Sequence, residues 1–158
     1  MLFRSTLDGG SILFVDSMES TRAVRVGSRV GLRMPAHCTA AGKVILAQLP
    51  AVELQEYLDA LPEPLTPNSL SDPEAIRAEL ERVAAQGFAT NFEESEDGLS
   101  AVAVAIPEPS GAVRWSITVS LPASRLAREQ APGIAEAAAR TAQAVAANVL
   151  YATAPVAP

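Results

Sequence analysis

The feature that most constrains the fold is a pair of strongly apolar segments in the second half of the chain, residues 99–106 and 113–121. The short segment between them carries two prolines and a glycine, so the pair is predicted to form an antiparallel hairpin. Both faces of this hairpin are hydrophobic, which is typical of strands that are covered on both sides. The 158 residues suffice to supply that cover within one domain, residues 1–158.

Extended and helical patterns alternate around this hairpin. Antiparallel strands at both ends, with helices between and after them, predict an α+β domain in which helices cover one sheet. Residues 11–16 follow an Asp-Gly-Gly turn and are predicted to be the first strand, with residues 23–26 as the hairpin partner. The further predictions are extended segments at 31–35 and 88–92, helices at 39–49, 52–61, 73–86 and 124–151, and a frayed end at 154–158.

Charge and composition exclude several classes of function. The net charge is −6, and residues 49–110 alone carry −11, which argues against a free-standing nucleic-acid binder. The single cysteine excludes an internal disulfide, and with a single histidine it disfavours a zinc site. The chain shows neither a membrane-spanning segment nor a signal peptide, so we expect a cytoplasmic protein without membrane contact.

The segment around Gly42-Lys43 superficially resembles the end of a phosphate-binding loop. A phosphate loop requires glycine at the position of His37 and serine or threonine at the position of Val44, so nucleotide binding is not expected. The small residues before Gly42 open a helix, where backbone N–H groups favour a carboxylate. Close helix packing explains the same small residues equally well, and both interpretations are open at this point.

Two other groups could suggest catalysis or metal binding. His37 and Cys38 are adjacent in an extended segment, so their side chains are expected to point to opposite sides, and we predict no catalytic pair. The acidic residues at 93–97 lack calcium-loop spacing and are interpreted as a solvated turn. No catalytic residue, metal site or cofactor is therefore predicted, and the chain is not expected to be an enzyme.

Polar side chains within the apolar strands are more informative. Asn91 lies in one strand, and Thr118 and Ser120 lie two residues apart on one face of another. Buried polar groups must find partners in the backbone, in water or in a ligand. From these residues alone, backbone pairing is the favoured interpretation.

Several motifs, in order along nearly the whole chain, resemble a known family. The stretch LRMPAHCTAAGKVILA at 32–47 resembles the opening of the effector-binding domain of IclR-type bacterial transcriptional regulators. Further matches follow at residues 65–70, 79–94, 98–107 and 122–126. The resemblance implies a GAF-like α+β fold, with a curved antiparallel sheet and helices on its faces.

The resemblance also implies partners. In this family an amino-terminal winged helix-turn-helix binds DNA, and the effector domain drives assembly into dimers or tetramers. Only ten residues precede the first predicted strand, so DNA binding is expected only through a domain absent from this chain. The expected partners are a small organic acid and further copies of the chain. The alternative is a module of the same regulator that has lost its ligand and serves oligomerisation only.

The effector site that the resemblance implies combines the start of a helix, the later strands and an apolar wall. Asn91 stands where such relatives often carry Asp, and Ala101 where some carry Cys. Both differences favour an acid larger than pyruvate, such as an aromatic or alicyclic acid. The site residues carried over are Ala40 and Ala41 at the carboxylate end, Asn91, Ala101, Thr118 and Ser120 from the strands, and Ala23, Val26 and Met34 as the apolar wall.

Overall fold

The structure is a computed structural model that describes residues 1–108, 111 and 113–152, with side chains as far as Asn148. Two positions of the predicted hairpin turn, 109 and 110, lie outside the described residues. The predicted frayed end at 154–158 lies outside them as well.

Six strands form one antiparallel sheet, which confirms the predicted α+β class and the GAF-like antiparallel architecture. The order across the sheet is β3-β2-β1-β6-β5-β4. The two strands of the apolar hairpin, β5 and β6, pair with each other and lie inside the sheet, as predicted. The strands are β1 (Leu2–Asp8), β2 (Ser11–Met18), β3 (Arg33–Pro35), β4 (Ala89–Phe92), β5 (Leu99–Ala105) and β6 (Trp115–Pro122).

The first strand corrects the sequence prediction. β2 does not pair with residues 23–26; its hairpin partner is β1, which begins at Leu2 rather than after residue 10. Gly9 and Gly10 both have positive φ, 56° and 80°, which is the backbone of a two-residue type I′ hairpin turn. β1 was missed because Ser5 is fully buried and interrupts the apolar alternation of the strand.

Four helices lie at the predicted positions: the third keeps the bounds 73–86 and the first two are shorter than predicted. The last begins at Ala131 and not at residue 124, because the chain before it forms two short 3-10 turns at 123–125 and 128–130. Each helix begins where the sequence supplies a cap or a proline: the Thr39 side chain accepts from Gly42 N, and the Asp72 side chain accepts from Ala75 N. Gly87 ends the third helix in the left-handed conformation at φ 80°. The helices are α1 (Ala40–Leu46), α2 (Ala51–Asp59), α3 (Pro73–Gln86) and α4 (Ala131–Ala152).

The two faces of β5 and β6 are covered by different helices, as the apolar hairpin predicted. Val102, Val104 and Ile117 pack against the alanines of α4. Ala101 and Ala103, which alternate with them along β5, pack in a separate cluster that includes residues of α1. We call these the α4 face and the α1 face of the sheet. Among the described residues, none of the helices is both long and apolar enough to cross a membrane.

Candidate functional site

A small cavity lies on the α1 face, between the start of α1 and strands β4, β5 and β6. Its volume is about 20 Å³, close to the space that a single water molecule needs. We call it the central cavity. Its lining residues are Phe14, Arg29, Met34, Thr39, Ala40, Ala41, Asn91, Ser95, Leu99, Ala101, Thr118 and Ser120.

Seven of the nine residues that the resemblance carried over meet in this lining; only Ala23 and Val26 do not. Ala23 is exposed, and Val26 is half-buried beside the core around Phe3 and Ile12. Both lie in the irregular segment 19–32 between β2 and β3, which contains no strand. In this structure the apolar wall of the central cavity is therefore Met34 together with Phe14 and Leu99.

The side chain of Asn91 forms three hydrogen bonds that link neighbouring parts of the cavity wall. Its Nδ2 donates to the Cys38 carbonyl and to Ser95 Oγ, each at 2.9 Å, and its Oδ1 accepts from Glu94 N at 3.0 Å. These bonds connect β4 with the turn before α1 and with the β4–β5 turn. The protein thus occupies three of the four hydrogen-bonding positions of the Asn91 side chain, two with the backbone groups favoured from sequence and one with the Ser95 hydroxyl.

The hydroxyl groups on the α1 face of β6 are different. Thr118 is 3% exposed, and its Oγ1 has no hydrogen-bond partner among the described residues. The same holds for Ser116, and for Ser5 directly opposite it on β1. A buried unpaired hydroxyl costs about 1–3 kcal/mol. Thr118 is the one of these three that lines the central cavity.

The start of α1 combines close packing with free donors. A Cβ on Gly42 would lie 2.1 Å from the Ala36 carbonyl oxygen, so glycine is required there by the backbone that crosses it. The Thr39 hydroxyl satisfies Gly42 N at 2.9 Å. The N–H groups of Ala40 and Ala41 have no acceptor among the described residues. Helix packing therefore explains Gly42, and it leaves these two N–H groups beside the central cavity.

Arg29 was not predicted as a site residue. Its side chain is 12% exposed and lines the central cavity, where Nη1 lies 3.2 Å from Met34 Sδ. Its Nη2 pairs with the carboxylate of Glu96 on the β4–β5 turn. No sequence pattern separates Arg29 from the other arginines of the segment 22–33, because only the folded chain turns it inward.

His37 and Cys38 contact each other, which corrects the prediction that they point apart. Both lie in a single 3-10 turn, and His37 Nε2 is 3.2 Å from Cys38 Sγ. Tyr57 Oη accepts from His37 N at 3.0 Å and lies 2.7 Å from Nδ1. Tyr57 Oη thus contacts both the backbone and the ring of His37, and the other ring nitrogen contacts the sulfur.

Burial keeps this group of side chains neutral. It lowers the pKa of His37, with help from the Lys43 charge, raises the pKa of Cys38, and raises the pKa of Tyr57 to about 12. A neutral histidine beside a protonated thiol is not an activated nucleophile pair. The arrangement fixes the turn before α1, as a structural histidine would.

Lys43 forms a buried ion cluster that the sequence interpretation missed. The side chain is 2% exposed, and its Nζ lies 2.7 Å and 2.8 Å from the two oxygens of Glu94 and 3.4 Å from Glu79. Burial raises the pKa of Glu94 despite Lys43, whereas the bonds from Arg82 and the Lys43 charge outweigh burial and lower the pKa of Glu79. Glu94 is therefore not part of a solvated turn.

An open groove of about 570 Å³ lies at the outer edge of β4, and none of the predicted site residues lines it. Arg128 stacks over the Phe92 ring there, with its guanidinium carbon 4.2 Å from the ring centre. Arg82 is already paired with Glu79 through two bonds of 2.8 Å. Among the described residues there is no group of three or more side chains able to hold a metal ion.

The structure therefore shows a small cavity between an antiparallel sheet and the start of a helix, and among the described residues no activated nucleophile pair lies beside it. The family description "Bacterial transcriptional regulator IclR C-terminal" matches residues 4–147. The chain belongs to the IclR family and comprises its effector-binding region. Its relatives are transcriptional regulators, which confirms the expectation that it is not an enzyme.

Individual relatives support the same assignment. The chain is 36% identical to the Pca regulon regulatory protein of Pseudomonas putida over 128 residues, which is 80% of this chain and 44% of that protein. It is 32% identical to the regulator KdgR of Escherichia coli over 78% of this chain and 48% of that one. The crystal structure of Thermotoga maritima IclR superposes with a TM-score of 0.86 at 28% identity, covering 93% of this chain and 60% of that one. The chain thus spans about half the length of these curated relatives.

Proposed function

We propose that this domain binds a small organic acid in the central cavity, and that binding controls DNA binding by the amino-terminal domain of a full-length regulator. The observation that carries the proposal is the Thr118 hydroxyl, which is buried, unpaired among the described residues and faces the cavity. A ligand that bonds to this hydroxyl recovers the cost of leaving it unpaired. The predicted site thus contains a polar group that a ligand can satisfy.

The size of the ligand follows from two opposing observations. Ala101 leaves the cavity wall without a bulky side chain, which favours an aromatic or alicyclic acid over pyruvate. The present volume of about 20 Å³ admits about one water molecule. An acid of the proposed size therefore requires the cavity to enlarge, and we propose that the irregular segment 19–32 moves outward to admit it. Among the described lining residues, Arg29 is the one that belongs to this segment.

The proposed mechanism is linkage between ligand binding and assembly. A ligand that binds one arrangement of a dimer or tetramer more tightly shifts the population toward it, by no more than its difference in affinity. In the full regulator, the two arrangements would place the DNA-binding domains differently. Helix α4 and the β1–β2 hairpin are the elements that we propose to transmit the change.

The second candidate is a ligand-free oligomerisation module. The small volume of the central cavity favours it, as do the three protein hydrogen bonds that occupy Asn91. In that case the apolar helices would hold a constitutive dimer, and the unpaired hydroxyls would have no functional partner.

Thermal unfolding with benzoate, cyclohexanecarboxylate and pyruvate separates the two candidates. Saturation at a hundred times the dissociation constant adds about 2.7 kcal/mol, so binding raises the melting temperature measurably. We expect a rise with at least one of the two cyclic acids, and its loss in Thr118→Val. Thr141→Val, which changes an exposed threonine on α4, serves as the matched control and keeps the rise.

If none of these acids changes the melting temperature and Thr118→Val behaves like the original chain, the effector site is not at this cavity. A dimer of constant size with and without acids, measured by light scattering, would then favour the oligomerisation module.

A further inference from the structure

Of the described residues that line the central cavity, Arg29 is the only charged one. The other lining residues are uncharged. Asn91 is one of them, and the resemblance puts it where relatives often carry Asp. A cavity wall with one buried cation and no acid favours an anionic ligand. The charge of the site therefore comes from the irregular segment 19–32, not from the strands or the helix.

The guanidinium group is only partly occupied. It has five N–H donors, and among the described residues these meet one carboxylate, Glu96, and one thioether sulfur, Met34. Met34 lines the cavity as well, and a thioether sulfur is only a weak acceptor for these donors. Donors in a planar fork suit a carboxylate in two-point contact.

The two members of the Arg29–Glu96 pair differ in burial. Arg29 is 12% exposed, whereas Glu96 is 61% exposed on the β4–β5 turn. A partly exposed carboxylate is solvated whether or not it is paired, so its contact with arginine shifts an equilibrium only a few-fold. Glu96 is thus an exchangeable partner for a cation that faces inward.

From this geometry we infer that Arg29 binds the carboxylate of the effector, and that Glu96 holds Arg29 in place until the effector replaces it. The inference rests on the proposed function and names the residue that recognises the ligand's charge. Exchange of Glu96 for the ligand also releases the segment 19–32 from the β4–β5 turn. The replacement of Glu96 thus opens the cavity and pairs the carboxylate of the effector with Arg29.

Calorimetric titration with benzoate and with neutral benzamide tests this role. Glu96→Gln frees Arg29, so benzoate should bind about two- to fivefold more tightly while benzamide is unchanged. Arg29→Gln removes a charge-assisted hydrogen bond, so benzoate should bind about tenfold more weakly while benzamide is again unchanged. Asp97→Asn and Arg33→Gln change exposed neighbours by the same charges and should leave both affinities unaltered.

The outcomes separate this inference from the proposed function. If Arg29→Gln binds benzoate like the original chain while Thr118→Val weakens binding, the role of Arg29 is wrong and the effector site stands. If none of benzoate, cyclohexanecarboxylate and pyruvate binds the original chain or Glu96→Gln, both are wrong. If Arg29→Gln does not fold, Glu96→Gln with its Asp97→Asn control decides, because unchanged benzoate affinity there overturns the exchange.

Discussion

Alternate residues of strands β5 and β6 form the two faces of this part of the sheet, and the two faces differ in chemistry. On the α4 face, Val102, Val104 and Ile117 close tightly against the alanines of α4. On the α1 face, the same strands present Ala101 and Ala103 beside the hydroxyls of Ser116 and Thr118, which have no partner in the part of the chain that the structure describes. One face is a conventional apolar core. The other buries hydroxyl groups for which the described residues supply no partner.

The difference indicates which face is available for function. A buried hydroxyl without a partner lowers stability, so a domain built for stability alone would carry an apolar side chain of similar size at these positions. The α1 face also holds the buried Lys43 cluster and the Arg29–Glu96 pair. Three experiments test the comparison between the faces.

The largest effect is expected from Lys43→Met on the α1 face. It leaves Glu94 buried without its cation, which costs about 3–5 kcal/mol of unfolding free energy at neutral pH. Because burial already raises the pKa of Glu94, its protonation should reduce this cost as the pH falls. Urea denaturation at pH 7 and pH 5 measures both values.

Arg140→Met is the matched control for Lys43→Met. Arg140 pairs with Glu136 on the exposed side of α4. The two side chains are 67% and 76% exposed. Its loss should change the unfolding free energy by about 0.5 kcal/mol or less. Equal effects of the two substitutions would show that the Lys43 cluster is not a stabilising element.

A middle-sized effect is expected from a pair of substitutions at neighbouring positions of β6. Ile117→Val on the α4 face removes one methyl group from a packed core and should cost about 1 kcal/mol. Thr118→Val on the α1 face removes a hydroxyl that has no partner, so stability should stay equal or rise. Urea denaturation of both variants compares the faces directly, and a larger loss for Thr118→Val would contradict the difference between them.

The smallest effect concerns the turn before α1. Since burial and the Lys43 charge lower the pKa of His37, the unfolded chain binds a proton more readily than the folded one. The contribution of neutral His37 to stability is present at pH 7.5 and declines as the pH falls through the ordinary histidine range. His37→Gln should therefore destabilise the domain more at pH 7.5 than at pH 5.5, as measured by urea denaturation, and a penalty independent of pH would contradict the lowered pKa.

The fold was predictable wherever the pattern is local. The β5–β6 hairpin, the Asp72 cap and the Gly87 stop of α3 are each contained within a few neighbouring residues. Strand β1 was not predicted, because it pairs with β6, more than a hundred residues away along the chain. Its buried Ser5 faces Ser116 of that strand and so breaks the apolar pattern. The Gly9-Gly10 pair was a usable sign of the β1–β2 hairpin, since two successive glycines favour a type I′ turn.

The site was predictable in part for the same reason. Thr118 and Ser120 stand out in an apolar strand, and the motif around Gly42 carries the resemblance that placed Ala40 and Ala41. Arg29 and Lys43 required the fold, because an arginine in a loop and a lysine in a short helix are ordinarily solvated. Lys43 had one local sign, the apolar run of Val44 to Leu46 that follows it.

The most direct test of the central claim is a crystal structure of the chain grown with benzoate. We predict density for the acid in the central cavity, with its carboxylate at Arg29, its ring beside Ala101 and Thr118, and the segment 19–32 displaced from Glu96. Benzoate bound only in the groove at the β4 edge, or a cavity that stays near 20 Å³ at a saturating concentration, would contradict the account.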